Sequence, residues 1–165
     1  MSSDTESIRC MLLPLSSINL LIPNSAVAEV IGYFKPTALP DCSDWFPGVV
    51  VWRGVQVPVI SLEQMCSLDT VIDTAIIGSR SRIAIIYNPE KDAELPYLGI
   101  HIQDIPRAYL ADPDNIKSGS DDGLSQYLLS SVDAEDQARV IPNLDNIIAD
   151  LKVEFTQGKR IQLTI

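Results

Sequence analysis

The sequence predicts an all-β fold, built as barrels or a sandwich with a few short helices. Short apolar, β-branched runs recur along the chain, separated by clusters of proline, glycine, serine, asparagine and aspartate. No repeat at the periods of solenoids or propellers is present. With 165 residues, the chain is long enough for one domain or for two small, closely packed lobes.

The first two apolar runs, 10–15 and 18–23, are separated by two serines and predict a tight β-hairpin. The apolar positions that follow, up to Ile31, have the i, i+3, i+4 spacing of a helix. Asn24 or Ser25 is suited to cap such a helix at its start. We therefore expect a short helix that ends at Ile31 and packs on the first hairpin.

The strongest hairpin in the sequence follows a proline-rich loop over 33–47. Its strands are 49–52 and 55–60, and only Arg53 and Gly54 connect them. Gly54 accepts a positive φ freely and an arginine does not, so we expect a type I turn closed by a glycine bulge. In that turn, as in a two-residue type I′ turn, Arg53 lies at the tip and faces solvent.

A short helix is predicted next, over 61–67, begun by a capping box of Ser61 and Gln64. Two strands follow, over 82–87 and 97–105. The second alternates between apolar and polar residues, which predicts one buried and one exposed face. Its apolar face consists of Leu98, Ile100 and Ile102. His101 lies on the opposite face, so we expect it to be a solvent-facing strand residue.

The C-terminal third predicts a loop, a hairpin and a helix. Segment 111–126 is rich in aspartate, glycine and serine, and its length is typical of a functional or irregular surface loop. Strands over 127–132 and 138–142 form a last hairpin. The apolar spacing over 144–151 predicts a helix capped by the preceding asparagine. Residues 156–165 are expected to be a polar connector whose apolar end fits an extra strand.

The charge of the chain disfavours polyanionic partners. Twelve Lys and Arg oppose 22 Asp and Glu, and the formal net charge of −10 repels phosphate backbones and anionic lipids. We therefore expect no nucleic-acid partner. The acidic N-terminus is unlike a signal peptide, and no segment offers the ~20 apolar residues that cross a bilayer. We expect a cytoplasmic protein without direct membrane insertion.

The sequence shows no reactive centre. A Ser-His-Asp triad needs an imidazole, and the sole histidine, His101, is not accompanied by a G-x-S-x-G motif. Gly158 and Lys159 lack the rest of a phosphate-binding loop, and the aspartates within 112–122 lack the spacing of a calcium loop. The three cysteines form no C-x-x-C pair, which is typical of free thiols. We expect no catalytic residues, no metal and no cofactor.

A specific pattern surrounds the strongest hairpin. Residues 46–62 read FPGVVVWRGVQVPVISL, and they resemble the G-x-x-x-x-R-G-x-x-x-P-V-x-D-L pattern of the CheW family. The segments around Glu29, over 98–105 and over 140–148 are similar to further stretches of that family. The resemblance spans about 8–151 and leaves 152–165 as a C-terminal extension.

The resemblance implies a single CheW-like domain over 1–165, made of two packed and interleaved five-stranded SH3-like barrels. Proteins of this family are non-enzymatic adaptors. They couple the signalling tips of methyl-accepting chemoreceptors to the regulatory domain of a CheA-type histidine kinase. Receptor tips dock in the groove between the lobes, and the kinase pairs with a barrel end through apolar edges.

The position of the motif implies a partner-binding site. Its residues are Gly48, Val51, Trp52, Arg53 and Gly54. The resemblance assigns to Arg53 the role of contacting the receptor or of bracing the groove. Trp52 is expected to add a large apolar surface beside it, as interface hot spots do.

Two departures from the family pattern point to an accessory member. Ser61 stands where the family has Asp, and Val51 and Trp52 stand where Asn-Leu is common. Together with the long acidic loop, these features resemble the auxiliary ChpC-like proteins of chemosensory systems that control type IV pilus twitching motility. The alternative is a small barrel that binds a small ligand or an oligonucleotide, which the net charge disfavours.

Overall fold

The described part of the chain folds into two β-sheets and two α-helices. A computed structural model describes residues 7–67, 78–134 and 137–164, with side chains through Lys159. In these ranges the strands are β1 (Ile8–Pro14), β2 (Asn19–Pro23), β3 (Val27–Gly32), β4 (Gly48–Trp52), β5 (Val55–Ile60), β6 (Arg82–Asp92), β7 (Leu95–Ile102), β8 (Arg107–Ala111), β9 (Ile116–Ser118), β10 (Leu128–Ala134) and β11 (Gln137–Pro142). The helices are α1 (Leu62–Met65) and α2 (Leu144–Thr164). The predicted all-β class is confirmed.

Each sheet forms one lobe, and the lobes interleave along the chain. Lobe 1 is the six-stranded sheet β8-β1-β2-β11-β10-β9, and lobe 2 is the five-stranded sheet β3-β6-β7-β5-β4. Each of the three predicted hairpins is present as an antiparallel pair. Lobe 1 has one strand more than expected because β9, inside the predicted surface loop 111–126, pairs with β10. The turn at 135–136 lies outside the described residues.

The central strands of each sheet are buried on both faces, because the lobes share one core and each also has its own. In β1, Leu12 faces the interior of lobe 1, whereas Leu13 faces the shared core. In β7, Ile100 faces the shared core, while Val57 and Ile83 of the adjacent strands face the interior of lobe 2. Strands buried on both faces require continuous apolar runs, which explains why such runs dominate the sequence.

The helix predicted to end at Ile31 is wrong. Asn24–Ala26 forms a single 3-10 turn, and Val27–Gly32 continues as β3, paired with β6. Three apolar positions at helical spacing are too few to exclude a strand. Val27, Val30 and Ile31 are β-branched, and they pack well on a pleated sheet.

The C-terminal segment is also different from the prediction. Residues 156–164 continue α2, so the connector and extra strand are wrong, and α2 is longer than the short helices expected. Asn143 caps the helix as predicted, since its side-chain oxygen accepts a hydrogen bond from the Asn146 N–H at 3.2 Å. The helix persists because Phe155 is buried in the shared core.

Two polar residues, His101 and Ser61, are buried, contrary to prediction. His101 was expected to face solvent, and Ser61 was expected to cap a helix. His101 is only 7% exposed, because the second face of β7 covers the interior of lobe 2 and not solvent. Its ring lies against Tyr33, with centroids 4.5 Å apart. The predicted capping box is wrong as well: Ser61 is buried, and its side chain makes no cap hydrogen bond. Its backbone N–H donates instead to the Trp45 carbonyl at 2.8 Å.

Candidate docking site

The β4–β5 turn projects Arg53 from lobe 2. Trp52 pairs with Val55, so only Arg53 and Gly54 lie in the turn. Their φ angles are 48° and 76°, which is the geometry of a two-residue type I′ turn and not of the expected type I turn with a glycine bulge. The tip position was predicted correctly, since the Arg53 side chain is 69% exposed.

A hydrogen bond closes lobe 2 beneath this turn. The Trp52 indole N–H donates to the Glu29 carboxylate. Glu29 lies on β3 and Trp52 on β4, and these strands are the two edges of the five-stranded sheet. The curled sheet is therefore joined across its edges by two side chains. The Trp52 ring packs edge-on against Tyr97, with centroids 5.0 Å apart and an angle of 76°.

Trp52 and Glu29 also contact the Arg53 side chain. The guanidinium carbon of Arg53 lies 4.7 Å from the centre of the Trp52 ring, and Arg53 Nη2 lies 3.9 Å from the Glu29 oxygen that accepts the indole N–H. We call these three residues the Glu29–Trp52–Arg53 cluster. A single carboxylate thus closes the lobe and orients the exposed arginine.

The other predicted site residues divide into exposed and structural ones. Val51 is 65% exposed, and Gly54 is exposed with open space around it. Gly48 is buried, because the backbone of Thr37 crosses it and a Cβ there would lie 2.2 Å from the Thr37 carbonyl oxygen. Trp52 is only 8% exposed, so it supports Arg53 from below and does not add the large apolar surface that we expected.

Glu29 was not among the predicted site residues. Its segment carried a resemblance signal, but the helix prediction placed it on the wrong type of element. Glu29 and Trp52 are 23 residues apart, and only the curl of lobe 2 brings them together.

A cavity of about 570 Å³ adjoins the hairpin tip. It lies between the β4–β5 hairpin, the β6–β7 turn and the C-terminal half of α2. Its lining residues are Gly54, Val55, Gln56, Ala93, Glu94, Pro96, Phe155, Thr156 and Lys159. The volume is in the range of sites that accept a ligand or an anchoring side chain. We call this cavity the tip cleft.

The described residues contain little that could support chemistry. No group of three His, Cys, Asp or Glu within them could hold a metal ion. Burial raises the pKa of the Cys10, Cys42 and Cys66 thiols, and all three are free. A raised pKa keeps a thiol protonated and weakly nucleophilic. In the described ranges, no helix is both long and apolar enough to cross a membrane.

Comparison with known proteins agrees with the fold. The family described as the CheW-like domain matches residues 9–152. The crystal structure of the scaffolding protein TtCheW from Thermoanaerobacter tengcongensis superposes with a TM-score of 0.69. The sequences are 16% identical, and the match covers 87% of this chain and 89% of that one. No curated protein sequence matches this chain.

Proposed function

Because the chain belongs to the CheW-like domain family, we propose that it is a non-catalytic coupling adaptor between chemoreceptors and a CheA-type histidine kinase. In this proposal it acts in the cytoplasm. It holds two proteins together by docking and uses no cofactor. The TtCheW match is to a protein named as a scaffold, and the shared fold is compatible with that role.

The observation that carries the proposal is the oriented Arg53 at the tip of lobe 2. Arginine is enriched among interface hot spots, and its planar fork matches a carboxylate. Docking that requires less side-chain ordering binds more tightly. The Glu29–Trp52–Arg53 cluster already restricts the guanidinium before a partner arrives. We propose that Arg53, Val51 and Gly54 contact the receptor signalling tip, with Gly48 and Trp52 in support.

An adaptor needs a second docking surface, and lobe 1 offers one. Strand β8 is an edge of its sheet and pairs with β1 on one side. Leu110 on β8 is 52% exposed, and Ile8 on β1 is 54% exposed. Exposed apolar side chains at a sheet edge are typical of surfaces that pair with another protein. We propose that the regulatory domain of the kinase docks at this edge.

A finer assignment concerns the cellular system. We propose that the chain is an auxiliary, ChpC-like adaptor in a system that controls type IV pilus twitching motility. The replacement of the family Asp by the buried Ser61 and the acidic segment 111–126 support this assignment. Deletion of the gene in its source cell tests it: twitching zones should shrink while growth is unchanged. Normal twitching would contradict the pilus assignment alone.

Charge reversal at the hairpin tip tests the receptor site. Arg53→Glu should weaken binding to a soluble receptor signalling-tip fragment by about tenfold or more, since a hot-spot charge is lost and reversed. Titration calorimetry of the purified pair gives the dissociation constant. The matched control is Arg80→Glu, because Arg80 is 66% exposed and also lies in an ion pair, with Asp104.

The control should bind within about twofold of the wild type, and both variants should keep the wild-type melting midpoint within a few degrees. If Arg53→Glu binds like Arg80→Glu, Arg53 does not belong to the site. If the wild-type chain binds no receptor fragment and does not change the activity of the kinase in receptor membranes, the adaptor proposal itself is wrong.

A further inference from the structure

We propose that the tip cleft is a specificity pocket that accepts an apolar side chain of the receptor tip, while Lys159 binds a carboxylate on the same receptor segment. This inference rests on the proposed function and names the chemistry of its partner. The partner is a receptor segment that presents an apolar residue next to an acidic one.

The cleft is lined by both apolar and polar residues. Val55, Pro96 and Phe155 are among the apolar ones, and Gln56 and Thr156 are among the polar ones. An apolar anchor in a concave pocket, ringed by polar contacts, is the usual arrangement of an interface hot spot. Gly54 belongs both to the cleft and to the hairpin tip, so the cleft is continuous with the proposed receptor surface.

The charges at the rim favour an acidic partner. The cleft lining contains one carboxylate, Glu94, and it lies near Lys152, whose pKa is raised mainly by its hydrogen bond to Asp92 and less by the charge of Glu94. Lys159 lies over the Phe155 ring at 4.2 Å, and no described carboxylate is within ion-pair distance of it. Together with Arg53, Lys159 places positive charge beside the cleft of a chain whose net charge is −10. A carboxylate is therefore the complementary group.

The helical wall of the cleft is held in place from several sides. Lys152 bonds to Asp92 near the β6–β7 turn, and the Glu154 carboxylate accepts a hydrogen bond from the Ser43 N–H at 2.6 Å. Gly158 packs so closely on Leu39 that an added Cβ would lie 3.0 Å from a side-chain carbon. The pocket therefore exists before a partner binds, which lowers the cost of docking.

The helical wall of the cleft lies beyond the family match. That match ends at residue 152, and the helix residues that line the cleft, Phe155, Thr156 and Lys159, come after it. Lobe 2 offers the general docking motif, and the C-terminal half of α2 adds a surface that selects among receptor tips.

Two substitutions test the pocket without touching Arg53. Thr156→Trp fills the cleft and should weaken binding of the receptor signalling-tip fragment by about tenfold, as loss of an anchor does. Its control is Val153→Trp, on the same helix but 58% exposed and outside the cleft. Lys159→Gln should weaken binding by about threefold in low salt and by less in high salt, since a rim ion pair is screened. Its control is Lys117→Gln in lobe 1.

The outcomes separate the pocket from the proposed function. Weaker binding by Arg53→Glu, with Thr156→Trp and Lys159→Gln equal to their controls, overturns the pocket and leaves the adaptor role intact. An altered self-association of the Thr156→Trp chain with unchanged tip affinity also overturns it, because the occupant is then a second copy. If Thr156→Trp lowers the melting midpoint by more than a few degrees, Thr156→Leu replaces it and must show the same loss of affinity.

Discussion

Removal of the Glu29 carboxylate should destabilise the folded chain. Loss of its hydrogen bond with Trp52 should cost more than loss of its ion pair with Arg53. The indole N–H of Trp52 is part-buried, and a hydrogen bond from such a donor to a charged acceptor contributes about 1.5–3 kcal/mol. Glu29 is 42% exposed, so water can replace part of the interaction, and we expect about 1–2 kcal/mol. The Arg53 ion pair, at 3.9 Å between exposed groups, should add no more than about 0.5 kcal/mol.

Double-mutant cycles separate the two contributions. Urea unfolding of Glu29→Ala, Trp52→Phe and the double variant gives the coupling energy of the indole hydrogen bond. Phenylalanine keeps an aromatic ring beside Tyr97 but lacks the indole N–H and the five-membered ring, and the cycle cancels the packing loss because it occurs with and without Glu29. The parallel cycle uses Arg53→Ala. We expect coupling of about 1–2 kcal/mol to Trp52 and below about 0.5 kcal/mol to Arg53, in line with the energies above.

Glu90→Ala serves as the control for loss of an exposed carboxylate in lobe 2, and it should change stability by less than about 0.5 kcal/mol. Coupling to Trp52 below about 0.5 kcal/mol would show that the bond does not hold the sheet edges together. Stronger coupling to Arg53 than to Trp52 would also refute the reasoning, since it would make the exposed ion pair the main interaction.

Two further predictions concern backbone space and pH. Gly48→Ala should lower the free energy of unfolding by about 3 kcal/mol or more, because its φ is 147° and a Cβ would overlap the Thr37 carbonyl. Gly54→Ala, at φ 76° with open space, should cost only about 1 kcal/mol, and equal losses in urea unfolding would contradict the steric explanation. Burial lowers the pKa of His101 below its ordinary value of 6.5, and the opposing charge of Glu63 is a smaller influence. Below pH 6.5 the unfolded chain therefore protonates His101 more readily than the folded chain does. The free energy of unfolding falls as pH falls, by at most about 1.4 kcal/mol per pH unit. His101→Phe should flatten this slope between pH 7 and 5; an unchanged slope would assign it to other groups.

The hairpin at the centre of the site could be predicted because its determinants are local. Two apolar runs, a glycine and the short distance between them specify a turn wherever the rest of the chain lies. The turn type could not be predicted from these local determinants. Arg53 adopts φ 48°, which is unfavourable for an arginine alone. Glu29 and Trp52 contact its side chain, and Glu29 belongs to a strand on the far edge of the sheet.

The C-terminal end of α2 also could not be predicted, because it depends on packing against distant residues. A glycine costs about 1 kcal/mol in a helix relative to alanine, so Gly158 followed by Lys159 is typical of a turn. In the folded chain the glycine is needed for close packing, because a side chain would meet Leu39. Burial of Phe155 against Phe46, with ring centroids 6.4 Å apart, outweighs the local preference. No pattern within 152–165 indicates this packing.

The shared core explains how the fold can serve an adaptor. Side chains from both sheets and from α2 fill one cluster between the lobes. Polar contacts also cross between them: the Glu63 carboxylate, 1% exposed, accepts a hydrogen bond from the Ser16 N–H at 2.9 Å, and the Gln103 N–H donates to the Pro14 carbonyl at 2.9 Å. Close-packed interiors transmit displacement and resist deformation. The Arg53 tip and the β8 edge are therefore held in one orientation, and partners bound at these two surfaces would be kept in fixed register without a hinge.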